Sequence, residues 1–326
     1  MKRAAIIIAV ALMVVSCSRP IRHGRTSKNQ AITTAEIEAQ VVMRKPKCST
    51  SLGLLFPGLA QMCTGRTGLG LALAAAGVAE LGTMIAVMTN NDEGLSHAGA
   101  ALPAVAFQDL WAFGYFEPII KKQLARKELY VPPDSVADMI AAPFNIQVMK
   151  RPSVWLGIVG TLAAGIGVSL LVDESSNTDR LGNDPNLFGR TYDSRLGYPL
   201  AGAAFTALFS HVAVAEEIIF RGGVQSGLAR SGGETKGWLI ASAFFGAFHS
   251  LNAFALPEKD RVTYLTIGVP FITLIGGYLG WIYKESDYSL APPIAVHFWY
   301  DFLLSATFFA LDPVNSVLSA KLKLRF

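Results

Sequence analysis

The sequence is poor in charged residues, and this shortage excludes most classes of soluble protein. Charged residues make up only 16% of the 326 residues, whereas hydrophobic residues make up 52% and the mean hydropathy is +0.39. Such a composition is unusual for a soluble globular domain and typical of a membrane protein. The net charge is only +4, and the basic residues lie in short clusters between apolar runs. Nucleic-acid partners are therefore not expected.

Cysteine is also scarce. The three cysteines, Cys17, Cys48 and Cys63, show none of the CxxC spacings that are typical of zinc or redox sites. Because their number is odd, the sequence argues against a disulfide framework. We therefore expect that cysteine chemistry is not central to the function.

The N-terminal segment resembles a targeting element. Two basic residues precede an apolar stretch, residues 4–15, that is too short for a comfortable membrane-spanning helix. Residues 1–17 are therefore predicted to be a signal peptide. The four residues that end at Cys17 resemble the cleavage box of bacterial lipoproteins, in which the cysteine is lipidated; the alternative is an uncleaved segment with an ordinary thiol. Residues 18–50 show no sustained apolar period and are predicted to form a flexible basic tail.

Apolar windows of about 20 residues recur along the rest of the chain and predict membrane helices. They lie near residues 69–88, 99–120, 154–172, 199–222, 237–256, 262–283 and 290–311. The predicted fold is therefore all-α, a polytopic membrane helix bundle of about seven transmembrane helices after the signal-like segment. A shorter run, Ser51–Cys63, is interrupted by Pro57-Gly58 and is expected to be re-entrant or interfacial.

A basic stretch between the second and third windows, residues 121–153, is the best candidate for a domain boundary. It separates a two-span membrane unit with its basic loop (51–150) from a five-span unit (151–326). Its lysines and arginines favour the cytoplasmic side by the positive-inside rule. If Cys17 is lipidated on the outer face of the membrane, the two predicted helices that follow bring the same loop back to the outer face. The orientation therefore stays open between these two interpretations.

Ionisable side chains lie inside three of the last four apolar windows. A charged side chain at the centre of a membrane helix costs about 2.5 to 3.5 kcal/mol, so each one needs partners or a water-filled cavity. The residues are Glu216, Glu217 and Arg221 in HVAVAEEIIFRGG, His249 in FFGAFHS, and His297 and Asp301 in AVHFWYDF. Spacings of four residues place Glu217 with Arg221, and His297 with Asp301, on one helix face. If the chain reverses near Gly232-Gly233, Glu217 and His249 lie equally far from the turn and hence at one depth.

These side chains suit two kinds of hydrolytic site. A Glu and a His in a desolvated pocket can take a proton from water, while a second His with a polar neighbour can stabilise an oxyanion. The same groups can also bind a divalent metal such as zinc, which itself activates water. The residues alone leave both possibilities open, a metal-free site or a metal bound by Glu216, His249, His297 and Asp301.

Three short motifs resemble those of a known family. EEIIFRG (216–222), FGAFH (245–249) and HFWYD (297–301) are similar in order and approximate spacing to the EExxxR, FxxxH and HxxxN/D motifs of the CAAX-protease and bacteriocin-processing family. This family comprises membrane-embedded proteases related to the Ras-converting enzyme, and the resemblance covers about residues 199–312. It implies a fold and activity like those of CAAX prenyl protease 2.

The resemblance also implies roles for individual residues. Glu216 would be the water-activating base, helped by His249, with His297 and Asp301 on the oxyanion side. A supporting ion pair would join Glu217 to Arg221, and Phe245 would pack against the site. The family has been described both as metalloproteases and as metal-independent glutamate proteases, so glutamate or metal dependence stays open.

Asp301 is a departure, since well-studied members of the family have Asn at this position. An ionised Asp beside an oxyanion would repel it unless the Asp were protonated or bound to a metal.

The predicted function is that of an intramembrane endopeptidase, which hydrolyses a peptide bond of a membrane-associated protein or peptide with a Glu/His-activated water. Its expected setting is the lipid bilayer of a bacterial cytoplasmic membrane. Because a lipoprotein-type signal suggests a bacterium, a prenylated protein is not the expected substrate. The alternatives are a non-catalytic membrane scaffold or bacteriocin-immunity-type protein that retains the protease fold, and an ion or proton pathway.

Three further ionisable residues lie in apolar windows outside the motifs. His211 is expected to be a packing residue or to form a hydrogen bond between helices. Glu80 and Asp109 could face one another, and we interpret them as structural.

Overall fold

The computed structural model describes residues 47–89, 108–172, 180–187, 190–256 and 258–314. The predicted signal peptide, Cys17 and most of the basic tail lie outside these residues. Within them the regular secondary structure is helical apart from one short antiparallel hairpin, formed by β1 (Asn186–Leu187) and β2 (Arg190–Thr191). The predicted helical membrane bundle is therefore confirmed.

The first described segment consists of two short helical pieces and one long helix. They are a 3-10 turn (Thr50–Leu54), α1 (Leu59–Cys63) and α2 (Thr67–Thr89). The break falls at Pro57-Gly58, as the sequence predicts. Gly58 has a φ of 88°, and a Cβ atom at this position would lie only 2.0 Å from the carbonyl oxygen of Gly70. Only glycine fits there, so this run cannot continue as one helix.

Cys48 and Cys63 form a disulfide bond, with their Cα atoms 4.9 Å apart. The expectation against a disulfide was therefore wrong. An odd count requires only that one cysteine stay out of an intrachain pair, and the turn at Pro57-Gly58 brings the other two together. The disulfide closes the short segment onto itself, and the backbone N–H of Lys47 also donates to the carbonyl of Cys63.

The middle of the chain joins the two halves of the bundle. A π-helical segment (Leu110–Phe116) continues into α3 (Glu117–Ala125); α4 (Val136–Ala141), a 3-10 turn (Ala142–Phe144) and α5 (Ile146–Met149) follow. The main hydrophobic core contains Phe113, Val136 and Phe298. Residues on both sides of the predicted boundary at 121–153 thus pack into one core.

The rest of the chain supplies most of the long helices. In order, the elements are α6 (Pro152–Val172), α7 (Ser194–Glu217), a π-helical segment (Ile218–Gln225), α8 (Ser226–Gly232), α9 (Glu234–His249), a 3-10 turn (Ser250–Ala255), α10 (Glu258–Thr263), a second π-helical segment (Tyr264–Gly268), α11 (Val269–Glu285) and α12 (Ala291–Leu311). The chain reverses at Gly233, whose φ is 92°. This is the turn that the sequence predicts near Gly232-Gly233.

Four helices in the described part of the chain are long and apolar enough to cross a membrane. They are Pro152–Ser169, Ser194–Gly232, Glu258–Glu285 and Ala291–Leu311. The apolar part of α2, Thr67–Gly82, is shorter, and the window at 99–120 begins outside the described residues. In the window at 237–256, α9 ends at His249 and the chain continues as a 3-10 turn. The prediction of about seven spans is therefore not confirmed.

Asp134 fixes the start of α12, the helix that carries His297. Its Oδ1 accepts a hydrogen bond from the Ser289 hydroxyl and its Oδ2 one from the Leu290 N–H, both at 2.7 Å. Burial raises the pKa of the Asp134 carboxyl, although these two hydrogen bonds oppose the shift. The helix α12 then packs against both α6 and α7, while α9 packs against α11.

Candidate active site

Two adjacent carboxylates lie where α7 changes to π-helical geometry. Glu216 is 7% exposed and Glu217 is fully buried, and the π-helical segment Ile218–Gln225 follows directly. Segments of π-helix are rare and often occur at functional sites. Because buried carboxylates are costly without partners, the groups around them define the site.

Glu217 is held by two donors. Its Oε1 accepts hydrogen bonds from Arg221 Nη1 at 3.0 Å and from His297 Nδ1 at 2.8 Å. Arg221 also donates to the carbonyl of Gly276 at 3.0 Å, and its guanidinium carbon lies 4.4 Å from the centre of the Phe245 ring. The structure thus contains the expected ion pair, and Phe245 packs against it.

The bond to Glu217 fixes the orientation of His297. Since a carboxylate can only accept, Nδ1 carries a hydrogen, and Nε2 points away from Glu217. Nε2 lies 3.3 Å from Asp301 Oδ2 and 3.7 Å from Glu216 Oε2. Carboxylates therefore face both nitrogens of this ring.

His249 is oriented by its own helix. Its Nδ1 lies 2.8 Å from the carbonyl of Phe245 and donates to it, because a carbonyl has no hydrogen to give. This leaves Nε2 facing the site, 3.7 Å from Glu216 Oε2. The structure thus brings His249 next to Glu216, the neighbour of Glu217, which is the residue that the distances from the Gly233 turn place at the depth of His249.

Glu216 lies between the two histidines and has one oxygen free. Its Oε1 accepts a hydrogen bond from Gln108 Nε2 at 2.8 Å. Its Oε2 is buried and has no hydrogen-bond partner among the described residues. A water bound to Oε2 would lie within reach of the imidazoles of both His249 and His297.

Gln108 is the contact that sequence reasoning missed. It lies next to Asp109 in a window that contains one further charged residue, Glu117, and this polar pair was the only available signal. Nothing in its sequence position relates it to Glu216, from which it is separated by 108 residues.

The expected catalytic residues converge from three helices, Glu216 from α7, His249 from α9 and His297 with Asp301 from α12. They do not, however, form a tight metal cluster. In the described part of the chain, one group of three ionisable ligands has all its ligand atoms within 4.8 Å of one another, and it is a different group.

A sequence model of the Rce1-like family, described as "Type II CAAX prenyl endopeptidase Rce1-like", matches residues 199–303. The matched segment is about a third of the chain and contains all three motifs, including Glu216, His249, His297 and Asp301. The resemblance to this family is thereby confirmed over this segment. Neither the comparison with curated proteins nor the comparison with solved structures finds a match.

Proposed function

We propose that this multi-pass membrane protein is an endopeptidase that hydrolyses a peptide bond with a water activated by Glu216. The observation that carries the proposal is the free Oε2 atom of Glu216. It is buried, has no hydrogen-bond partner among the described residues, and lies 3.7 Å from Nε2 of both His249 and His297. The Rce1-like match supports chemistry of the CAAX-protease type.

In the first step, a water donates one hydrogen bond to Glu216 Oε2. Its oxygen attacks the carbonyl carbon of the peptide bond, and the water proton passes to Oε2. His249 accepts the second hydrogen of this water at Nε2 and so aims the lone pair of the water at the substrate. Gln108 occupies Oε1, which leaves Oε2 as the basic oxygen.

In the second step, His297 stabilises the negative charge on the former carbonyl oxygen. A ring that is protonated on both nitrogens donates from Nδ1 to Glu217 and from Nε2 to the oxyanion. Asp301 Oδ2 lies 3.3 Å from the same Nε2, so the single Nε2 hydrogen is shared between Asp301 and the oxyanion, and the positive charge of the ring offsets the charge of Asp301. The C–N bond then breaks, and the proton on Glu216 passes to the leaving amine.

The substrate is a peptide or membrane protein whose cleaved bond reaches the depth of these buried groups. We place the protein in the cytoplasmic membrane of a bacterium. A non-catalytic scaffold has no need of a buried, unpaired carboxylate oxygen between two imidazoles, so this alternative is less well supported.

Because the Rce1-like match is to CAAX endopeptidases, the experiment uses the full chain in proteoliposomes with fluorogenic peptides that end in a CAAX sequence. The form without a farnesyl group is the expected substrate, and the farnesylated form is the comparison. Wild type is compared with Glu216→Gln and with Glu285→Gln, a matched control at a half-exposed position. The proposal predicts cleavage by wild type and Glu285→Gln, and none by Glu216→Gln. Equal cleavage by Glu216→Gln would refute the assigned base.

A further inference from the structure

A second cluster of ionisable groups lies beside the active site and is not used in the mechanism. It consists of Glu80 on α2, Asp109 at the start of the π-helical segment Leu110–Phe116, and His211 on α7. His211 Nε2 lies 3.0 Å from Glu80 Oε1 and 2.6 Å from Asp109 Oδ2. In the described ranges, this is the group whose three ligand atoms all lie within 4.8 Å of one another.

Hydrogen bonds alone leave this cluster incomplete. One ring nitrogen carries at most one hydrogen, yet Nε2 of His211 faces two carboxylate oxygens, so without a ligand a further proton must lie between Glu80 and Asp109. The other oxygen of Asp109, Oδ1, is buried without a hydrogen-bond partner among the described residues, and the side chain of Asp109 is only 8% exposed. This orphaned acceptor is a second sign, independent of the cluster itself, that a ligand is needed.

The charge of the cluster points the same way. Within the part of the chain that the structure describes, the ion pairs of Glu80 and Asp109 are with His211, and no lysine or arginine pairs with either. Two ionised carboxylates and one imidazole carry a net negative charge even when the ring is protonated. Because Asp109 is buried and Glu80 and His211 are partly buried among apolar helices, such a charge is costly. A dication bound to two carboxylates and a neutral imidazole has no net charge.

We propose that Glu80, Asp109 and His211 bind a zinc ion. Zinc takes imidazole nitrogen at 2.0–2.1 Å and carboxylate oxygen at 2.0–2.2 Å, commonly with three protein ligands and a water. The three ligand atoms are already close enough to surround one ion after small side-chain movements. Hard cations such as Mg²⁺ prefer oxygen ligands, so the imidazole favours zinc.

The position of this zinc site gives it a defined effect. The ion joins α2 and Asp109 to α7 at His211, just over one helical turn before Glu216. Gln108, the residue next to Asp109, donates a hydrogen bond to Glu216. Zinc would therefore hold the N-terminal helices against the active site at the residue that orients the base. This coupling rests on the proposed function, whereas zinc binding itself does not.

The test is zinc binding by the full chain in detergent, after removal of metal with a chelator. Zinc alone is added, excess is removed by gel filtration, and bound zinc is measured by mass spectrometry. We expect one zinc per chain for wild type, His249→Ala and Glu216→Gln, and at least tenfold weaker binding for Glu80→Gln and His211→Asn. Absence of bound zinc in wild type would overturn the proposal. The proposal would also fail if His249→Ala lost zinc binding while Glu80→Gln bound zinc normally.

A second measurement needs no variant and so does not depend on how variants fold. X-ray absorption of zinc bound to the wild-type chain should show one imidazole, with oxygen atoms as the other ligands. A spectrum with two imidazoles would place the metal at His249 and His297 and contradict the proposal. Binding of Mn²⁺ without binding of Zn²⁺ would contradict the choice of metal.

Discussion

The helix α7 carries two clusters of carboxylate and imidazole groups that differ in how their charges are balanced. Around Glu216 and Glu217, the buried guanidinium of Arg221 supplies a cation from the protein itself. Around His211, the described residues supply no such cation. The first cluster therefore pairs Glu217 with a permanent cation and leaves one oxygen of Glu216 free for chemistry, whereas the second has no arginine or lysine partner among the described residues.

The largest effect expected is on proteolysis by Glu216→Gln. Removal of the base should lower the cleavage rate by about 10³- to 10⁴-fold, near the upper limit for general-base catalysis. The amide keeps the shape of the side chain, so the thermal unfolding midpoint should change little. The cleavage rate is measured with peptides in proteoliposomes. A decrease smaller than tenfold would show that Glu216 is not the base, and the two clusters would then not differ in function.

Arg221→Met tests whether the active-site cluster depends on its internal cation. The change leaves Glu217 buried without its charge partner, which should cost about 3–5 kcal/mol of unfolding free energy. Denaturant unfolding in detergent micelles measures this loss. Adding Glu217→Gln removes the unpaired charge and should restore part of the stability. A double variant no more stable than Arg221→Met would show that the charge balance is not what matters.

The disulfide between Cys48 and Cys63 belongs to the N-terminal helices that supply Glu80 and Asp109. Because it closes a loop with a sequence separation of 15, Cys63→Ser should lower the unfolding free energy by about 3 kcal/mol. Reductant should lower the stability of wild type by the same amount and leave Cys63→Ser unchanged. An effect of reductant on Cys63→Ser would point to a different thiol.

Gln108 lies between the two clusters and gives the smallest effect. In Gln108→Leu the hydrogen bond to Glu216 is lost, and kcat should fall by about tenfold. This corresponds to somewhat less than the roughly 1.5–3 kcal/mol that a hydrogen bond to a charged group typically contributes. The KM should stay the same, because Gln108 orients the base and does not bind substrate. Gln147→Leu, at an exposed position on α5, is the control. A change in KM alone would assign Gln108 to substrate binding.

The two clusters also differ in how far the sequence alone predicts them. Glu217 with Arg221, and His297 with Asp301, are four residues apart, so helical geometry fixes each pair on one face. Glu80, Asp109 and His211 lie in three different apolar windows, and no helical spacing relates one of them to another. Only the packing of α2 and the π-helical segment against α7 brings them together, and no local pattern encodes that packing.

Composition predicted the membrane class of the fold but not the number of spans. The window at 237–256 is apolar throughout most of its length, yet α9 ends at His249, where the chain turns into a 3-10 segment. Average hydropathy does not detect such a break. The disulfide was missed for a similar reason, since the turn at Gly58 that joins its ends depends on close contact with Gly70.

The disulfide also bears on orientation. Gln61, next to the disulfide, donates to the carbonyl of Phe113 and to Glu117, so this segment packs at the end of the bundle from which the basic loop at 121–153 begins. Disulfides persist in oxidising compartments. This favours the interpretation in which that loop lies outside, against its positive charge.

The comparison of the two clusters depends on the claim that the protein is a protease with Glu216 as its base. This claim can be tested without knowing the substrate. Protein termini are quantified by mass spectrometry in membranes of the native host that express wild type or Glu216→Gln at equal level. We expect a set of new termini in wild type that is absent from the Glu216→Gln membranes. Identical termini in the two membranes would contradict an endopeptidase with Glu216 as its base.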